Sequence, residues 1–182
     1  MLSFYISLWL FWLGRMLVLT PLLGMAFSLC VTLLIYAKEG FAPLSSEVLL
    51  ALFDIFGFWF VLLVNLALLL ALFINTKHLF NRCYSGFSLK LLSCSKDADP
   101  EVIYEIGYGD LRKVWRKWLL LIVYHSSAFV LLSTLLHYLL YPSDSLLAWF
   151  SISILYIYIL LAGFFSLFIL ANYSKNVRIV KC

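Results

Sequence analysis

Four long apolar stretches, at residues 16–36, 48–74, 118–141 and 146–173, restrict this chain to a narrow set of folds. Each reaches the ~20 mostly apolar residues that a helix needs to cross a hydrocarbon core of about 30 Å. The last three exceed that length, which permits tilt without fixing an angle. Composition agrees, with 65% of residues hydrophobic and 12% charged, the latter roughly half the fraction usual in soluble domains. Four passes use most of the chain and leave no room for a second folded domain. The expected fold class is an all-α integral membrane protein. Its four transmembrane helices pair as two antiparallel hairpins through short connections.

Basic residues set the expected orientation. Residues 75–117 contain eight Lys or Arg, and the tail at 174–182 adds Lys175, Arg178 and Lys181. The opposite connections, "AKEGFAPLSSE" and "YPSDS", hold one lysine between them. The positive-inside rule then puts the loop at 75–116 and both termini in the cytoplasm, N-in and C-in, with a bacterial cytoplasmic membrane as the expected location. The net charge of +4 is read as this topology signal and not as affinity for nucleic acid.

At the N-terminus, Arg15 follows the apolar stretch instead of preceding it, and no A-x-A site comes after. Residues 1–14 therefore do not read as a cleaved signal peptide. The expectation is an interfacial helix over residues 2–13, with Trp9 and Trp12 at headgroup depth. One long helix over residues 3–36 is the alternative. Arg15 is expected to snorkel to lipid phosphate.

Pro43 and Pro142 break the two outer turns, with Ser45 or Ser46, and Ser143 or Asp144, as caps for the helices that follow. In the inner loop, "HLFNRCYSGFSLKLLSCSK" mixes apolar and basic residues and is expected to lie along the membrane surface. Asp99, Pro100 and Glu101 read as the start of a short helix, ended by Gly107 and Gly109. Asp110 then caps the third long helix, which projects about two turns inward and carries Arg112, Lys113, Arg116 and Lys117.

Within the spans, Asp54, Gly57, Val61 and Asn65 fall on one stripe of the second helix. A carboxylate facing lipid costs ~2.5 kcal/mol or more, so this stripe should face protein or water. Ser126, Ser133 and His137 form a stripe on the third helix, and a hydrogen-bonded Asp54–His137 pair is geometrically allowed. Gly24, Ser28 and Thr32, spaced by four, suit close helix packing or oligomerisation, with a narrow pore as the alternative. Thiols on the cytoplasmic side are normally reduced, so no structural disulfide is expected among Cys83, Cys94 and Cys182. These cysteines with His78 match no established zinc spacing. His125 and His137 lie about 120° off a common helix face, which suits haem ligation poorly. No metal, cofactor or catalytic residue is assigned, and no hydrolase or phosphate-binding motif occurs.

The one sizeable polar surface is the inner loop plus the tail. The expected function is a small oligomeric membrane sensor or scaffold. It would dock a cytosolic or membrane protein partner, or lipid headgroups, through Arg112, Lys113, Arg116, Lys117, Lys175, Arg178 and Lys181. An oligomeric ion channel lined by a polar stripe is the alternative, and a b-type cytochrome subunit is a third reading. In size and four-pass plan the chain resembles the small membrane components of bacterial two-gene antiphage systems such as Kiwa. That resemblance, carried by no motif, implies a defence role beside a soluble partner.

Overall fold

The computed structural model describes every residue except 42, 93–101, 142–144, 146 and 148, and the backbone alone at 113. The four helices α1 (Leu2–Lys38), α2 (Ser46–Leu79), α3 (Tyr108–Leu140) and α4 (Ile152–Tyr173) are each long and apolar enough to cross a membrane. The 22 residues of α4 give about 33 Å, one hydrocarbon thickness. The 37 residues of α1 give about 55 Å, well beyond it.

Helix starts follow from local capping chemistry. The Ser45 Oγ accepts the Val48 N–H (3.4 Å) ahead of α2, and the Ser151 Oγ accepts the Ile154 N–H (3.3 Å) at α4. Each satisfies a donor that the first helical turn leaves open. Gly107 caps α3, and the Asp110 carboxylate reaches back to the Gly107 N–H at 3.2 Å. Asp110 thus lies in the first turn of the helix, three residues past the N-cap, and not at the capping position expected for it.

Three expectations need correction. First, α1 is continuous from Leu2 to Lys38, with Pro21 inside it. A separate helix ending near Leu13 is not formed: the helix carries Gly14, the one residue there that could cap it, and has no proline before Pro21. Second, the fold is mostly helical but not all-α. Strands β1 (Cys83–Tyr84), β2 (Phe87–Leu92), β3 (Val102–Ile103) and β4 (Val177–Lys181) form one antiparallel sheet. Third, among the described residues of the inner loop no short helix precedes α3. Asp99, Pro100 and Glu101, its expected start, lie outside the described residues, and Val102 and Ile103 are extended.

Ser88 pairs with both Cys83 and Val180, and Leu91 with both Ile103 and Val177. Strands β1 and β3 therefore lie end to end along one edge of β2, with β4 along the other. The β1–β2 turn has two central residues, Ser85 and Gly86, with φ of 49° and 84°. Two positive φ values are what a type I′ hairpin turn requires, and Gly supplies one without steric cost.

The chain divides into two compact units, residues 12–75 and residues 1–11 with 76–182. In the second unit the buried core includes Phe4, Leu8, Leu79, Leu89, Leu91, Leu111, Val114, Trp118, Leu170 and Val177. Leu89 and Leu91 alternate along β2 on one face, opposite Ile179 and Val177. Leu111, Val114 and Trp118 recur at the helical period on α3. The N-terminal turns of α1 join this core through side chains. The Tyr5 hydroxyl donates to Asn172 Oδ1 (2.9 Å), and the Trp9 indole N–H donates to the Leu160 carbonyl (3.0 Å). Trp9 is thus held by α4 through a polar contact expected to go to headgroups, and Trp12 is fully buried.

Candidate functional site

The sheet brings together the two basic segments that the chain keeps far apart. Lys90 on β2 stands directly opposite Arg178 on β4. Lys175 precedes β4 and Lys181 ends it. Alternation along the strands gives Leu89, Leu91 and Val177 to the buried face, so Lys90 and Arg178 fall on the other one. The Lys90 ammonium lies 5.5 Å from the Tyr104 ring centroid, within cation–π range.

The first turns of α3 carry a second group of basic residues. Burial of Leu111, Val114 and Trp118 turns Arg112, Arg116 and Lys117 outward, and all three are exposed. The side chain of Lys113 lies outside the described residues. Lys77 reaches over the Tyr108 ring at 5.1 Å. Among the described residues, the side chains of Arg112, Arg116, Lys117, Lys175, Arg178 and Lys181 make no hydrogen bond or ion pair.

The polar stripe of α2 lies on the exposed side of that helix. Asp54, Gly57, Val61 and Asn65 are all exposed, and the Asn65 amide donates back to the Val61 carbonyl at 2.9 Å. Asp54 makes no hydrogen bond or ion pair among the described residues. His137 packs against Tyr141 of its own helix, with ring centroids 5.3 Å apart. Ser133 does meet α4, through a 2.6 Å hydrogen bond with the Tyr158 hydroxyl. Ser126 is buried and its Oγ has no hydrogen-bond partner among the described residues. A polar contact that helix spacing alone does not reveal joins His125 to α4. Its Nδ1 lies 2.7 Å from the Leu121 carbonyl and 3.4 Å from Ser166 Oγ.

The Gly24, Ser28, Thr32 stripe faces α2 within the unit of residues 12–75. A Cβ at Gly24 would come 3.2 Å from Phe60 and 3.4 Å from Val64. The Ser28 and Thr32 hydroxyls donate to the carbonyls one turn back, at 2.7 and 2.8 Å. Each thereby satisfies its own polar group and leaves an apolar, closely approached surface. Arg15, expected at lipid phosphate, donates from Nε to Asn75 Oδ1 at 2.9 Å. Asn75 is 1% exposed. It sits one residue beyond the apolar stretch at 48–74, where an isolated amide gives no hint of its partner.

The cysteines depart most from expectation. Cys83 and Cys182 are joined as a disulfide, with Cα atoms 6.2 Å apart. The sheet register explains it, because strand pairing delivers the end of β4 to the β1–β2 hairpin. Cys94 lies outside the described residues, and Cys30 is free and exposed. Among the described residues no cluster of three His, Cys, Asp or Glu is placed to hold a metal. No family model matches the chain, and no curated protein or solved structure matches it either.

Proposed function

We propose that the chain is a membrane scaffold that docks a cytosolic protein partner of acidic surface through the basic sheet and the start of α3. The observation that carries this reading is the pairing of β2 with β4, which builds one cationic surface from the inner loop and the tail. Unpaired arginine and lysine on a preformed element steer and hold an acidic partner.

The same pairing supports the topology of the reading. Strands β2 and β4 are separated by α3 and α4, and partners in one sheet must lie on one side of a bilayer. Two crossings between them satisfy that requirement; one does not. Ser3 and Ser7 of α1 both bond the Ser85 hydroxyl at 3.1 Å, so the N-terminus belongs to the same side. With the positive-inside rule, the reading is two antiparallel hairpins in a bacterial cytoplasmic membrane, N-in and C-in.

The test is affinity capture of the full-length protein from cross-linked membranes. Wild type should bring down a soluble partner. The triple variant Arg112→Glu, Arg116→Glu, Lys117→Glu should insert normally and lose it. Equal capture by both proteins would defeat the docking reading.

A second reading has its own observation. The Asp54–Asn65 stripe points away from α1, and an exposed carboxylate on an apolar helix is costly against lipid. Oligomerisation around that stripe, with or without a water-filled path, removes the cost. A conducting oligomer should show altered cation selectivity in planar bilayers when Asp54→Asn is introduced. Absence of conductance in the wild type would sink the pore version.

A further inference from the structure

We infer that the Cys83–Cys182 bond is a thiol-exchange site, opened by a dithiol reductant to release strand β4 from the sheet. The inference deepens the docking reading and rests on its inward orientation, since that side is where a chain meets the cellular dithiol pool. Three observations carry it. Both cysteines are exposed, so an attacking thiolate can reach the sulfurs. Arg82 precedes Cys83 and Lys181 precedes Cys182, placing positive charge one residue from each sulfur. Such charge attracts an anionic thiol and stabilises a departing thiolate.

The third observation is that β4 is an edge strand with a flaw. Among the described residues it pairs only with β2. Lys90 and Arg178 stand opposite one another in that pairing, and like charges at opposed positions destabilise a ladder. The ladder's final rung is the Cys182 N–H to the Gly86 carbonyl at 3.0 Å. The disulfide clamps the strand at this end against the repulsion further along it.

Exchange runs in two balanced steps. One thiolate of the dithiol attacks a protein sulfur, the Cys83–Cys182 bond breaks, and the other cysteine leaves as a thiolate that takes up a proton. The second thiolate of the reductant then attacks the mixed disulfide and frees the remaining cysteine. The protein gains two electrons and two protons, and the dithiol is oxidised to its own disulfide. The end of β4 then frays, and Arg178, Val180 and Lys181 leave the position fixed by the sheet.

The experiment uses the full-length protein in nanodiscs, with dithiothreitol as the dithiol. Alkylation with mass detection should show Cys83 and Cys182 becoming modified together under non-denaturing conditions. Hydrogen exchange should then quicken about tenfold or more at the amides of Arg178 and Val180, while Val114 and Trp118 in α3 stay unchanged. Cys182→Ser should match the reduced wild type without dithiothreitol. The proposal is overturned if the bond resists the dithiol, if it opens and β4 exchange stays slow, or if α3 loosens equally. A membrane-impermeant maleimide, applied to intact cells after a permeant reductant, separates the two readings. No labelling from outside supports both. Outside labelling at Cys182 defeats the inward orientation and leaves the exchange measured in nanodiscs standing.

Discussion

Trp118→Ala is expected to lower the unfolding free energy by about 3–5 kcal/mol, the range for emptying a large aromatic site in a packed core. Trp118 is 1% exposed and shares its helix face with Leu111 and Val114, which are buried with it. Further along the same helix, Leu131 and Leu139 are 70% and 66% exposed. Truncating either to alanine removes few protein contacts, and the expected change is within about 0.5 kcal/mol. Denaturant titration of the three variants in mixed micelles checks the contrast. Comparable losses at all three positions would mean that α3 is not packed as described, since Trp118 has a core to lose while Leu131 and Leu139 lie on an exposed face.

Arg178→Glu is expected to change strand pairing and partner binding in opposite directions. Opposite Lys90 it replaces a like-charge pair by an attractive one, and cross-strand ion pairs of this kind contribute roughly 0.2–1 kcal/mol. Thermal stability of the sheet should therefore rise slightly. Toward an acidic partner the same change swaps attraction for repulsion, and a loss of about tenfold or more in affinity follows if the position lies at the interface. Thermal unfolding and partner titration on one preparation read both signs. A fall in stability together with a fall in binding would show that the variant merely damages the fold.

How much of this was legible in the sequence differs by element, for physical reasons. Spans are decided by length and apolarity, so the four helices follow from residue content alone. The direction each helix faces does not. α2 is apolar around almost its whole circumference, and without polar contrast nothing in its periodicity says which side meets α1. Asp54 and Asn65 could thus be placed on one stripe, while its outward direction could not be foreseen.

The sheet left a local signal that is easily misread. Phe87, Leu89 and Leu91 alternate with Ser88, Lys90 and Leu92, and Val177 and Ile179 alternate with Arg178 and Val180. Ser85–Gly86 is a plausible hairpin turn. Next to membrane helices, however, a Leu-rich basic segment also suits the bilayer surface. The pairing that settles the matter is between segments on either side of α3 and α4, and no window of sequence contains both. The disulfide was missed for the same reason. Compartment chemistry argued against it, and only strand register brings Cys182 to Cys83.

Because β4 follows all four helices, the sheet has an order of assembly built into it. During synthesis β2 and its hairpin emerge first and wait with one edge open. In the proposed topology they gain β4 only after α3 and α4 have both entered the bilayer. A chain stalled with a single one of these helices inserted would strand β4 on the far side and could not complete the cationic surface. In that topology the finished sheet exists only on correctly inserted molecules, and the proposed partner would be shielded from half-made ones.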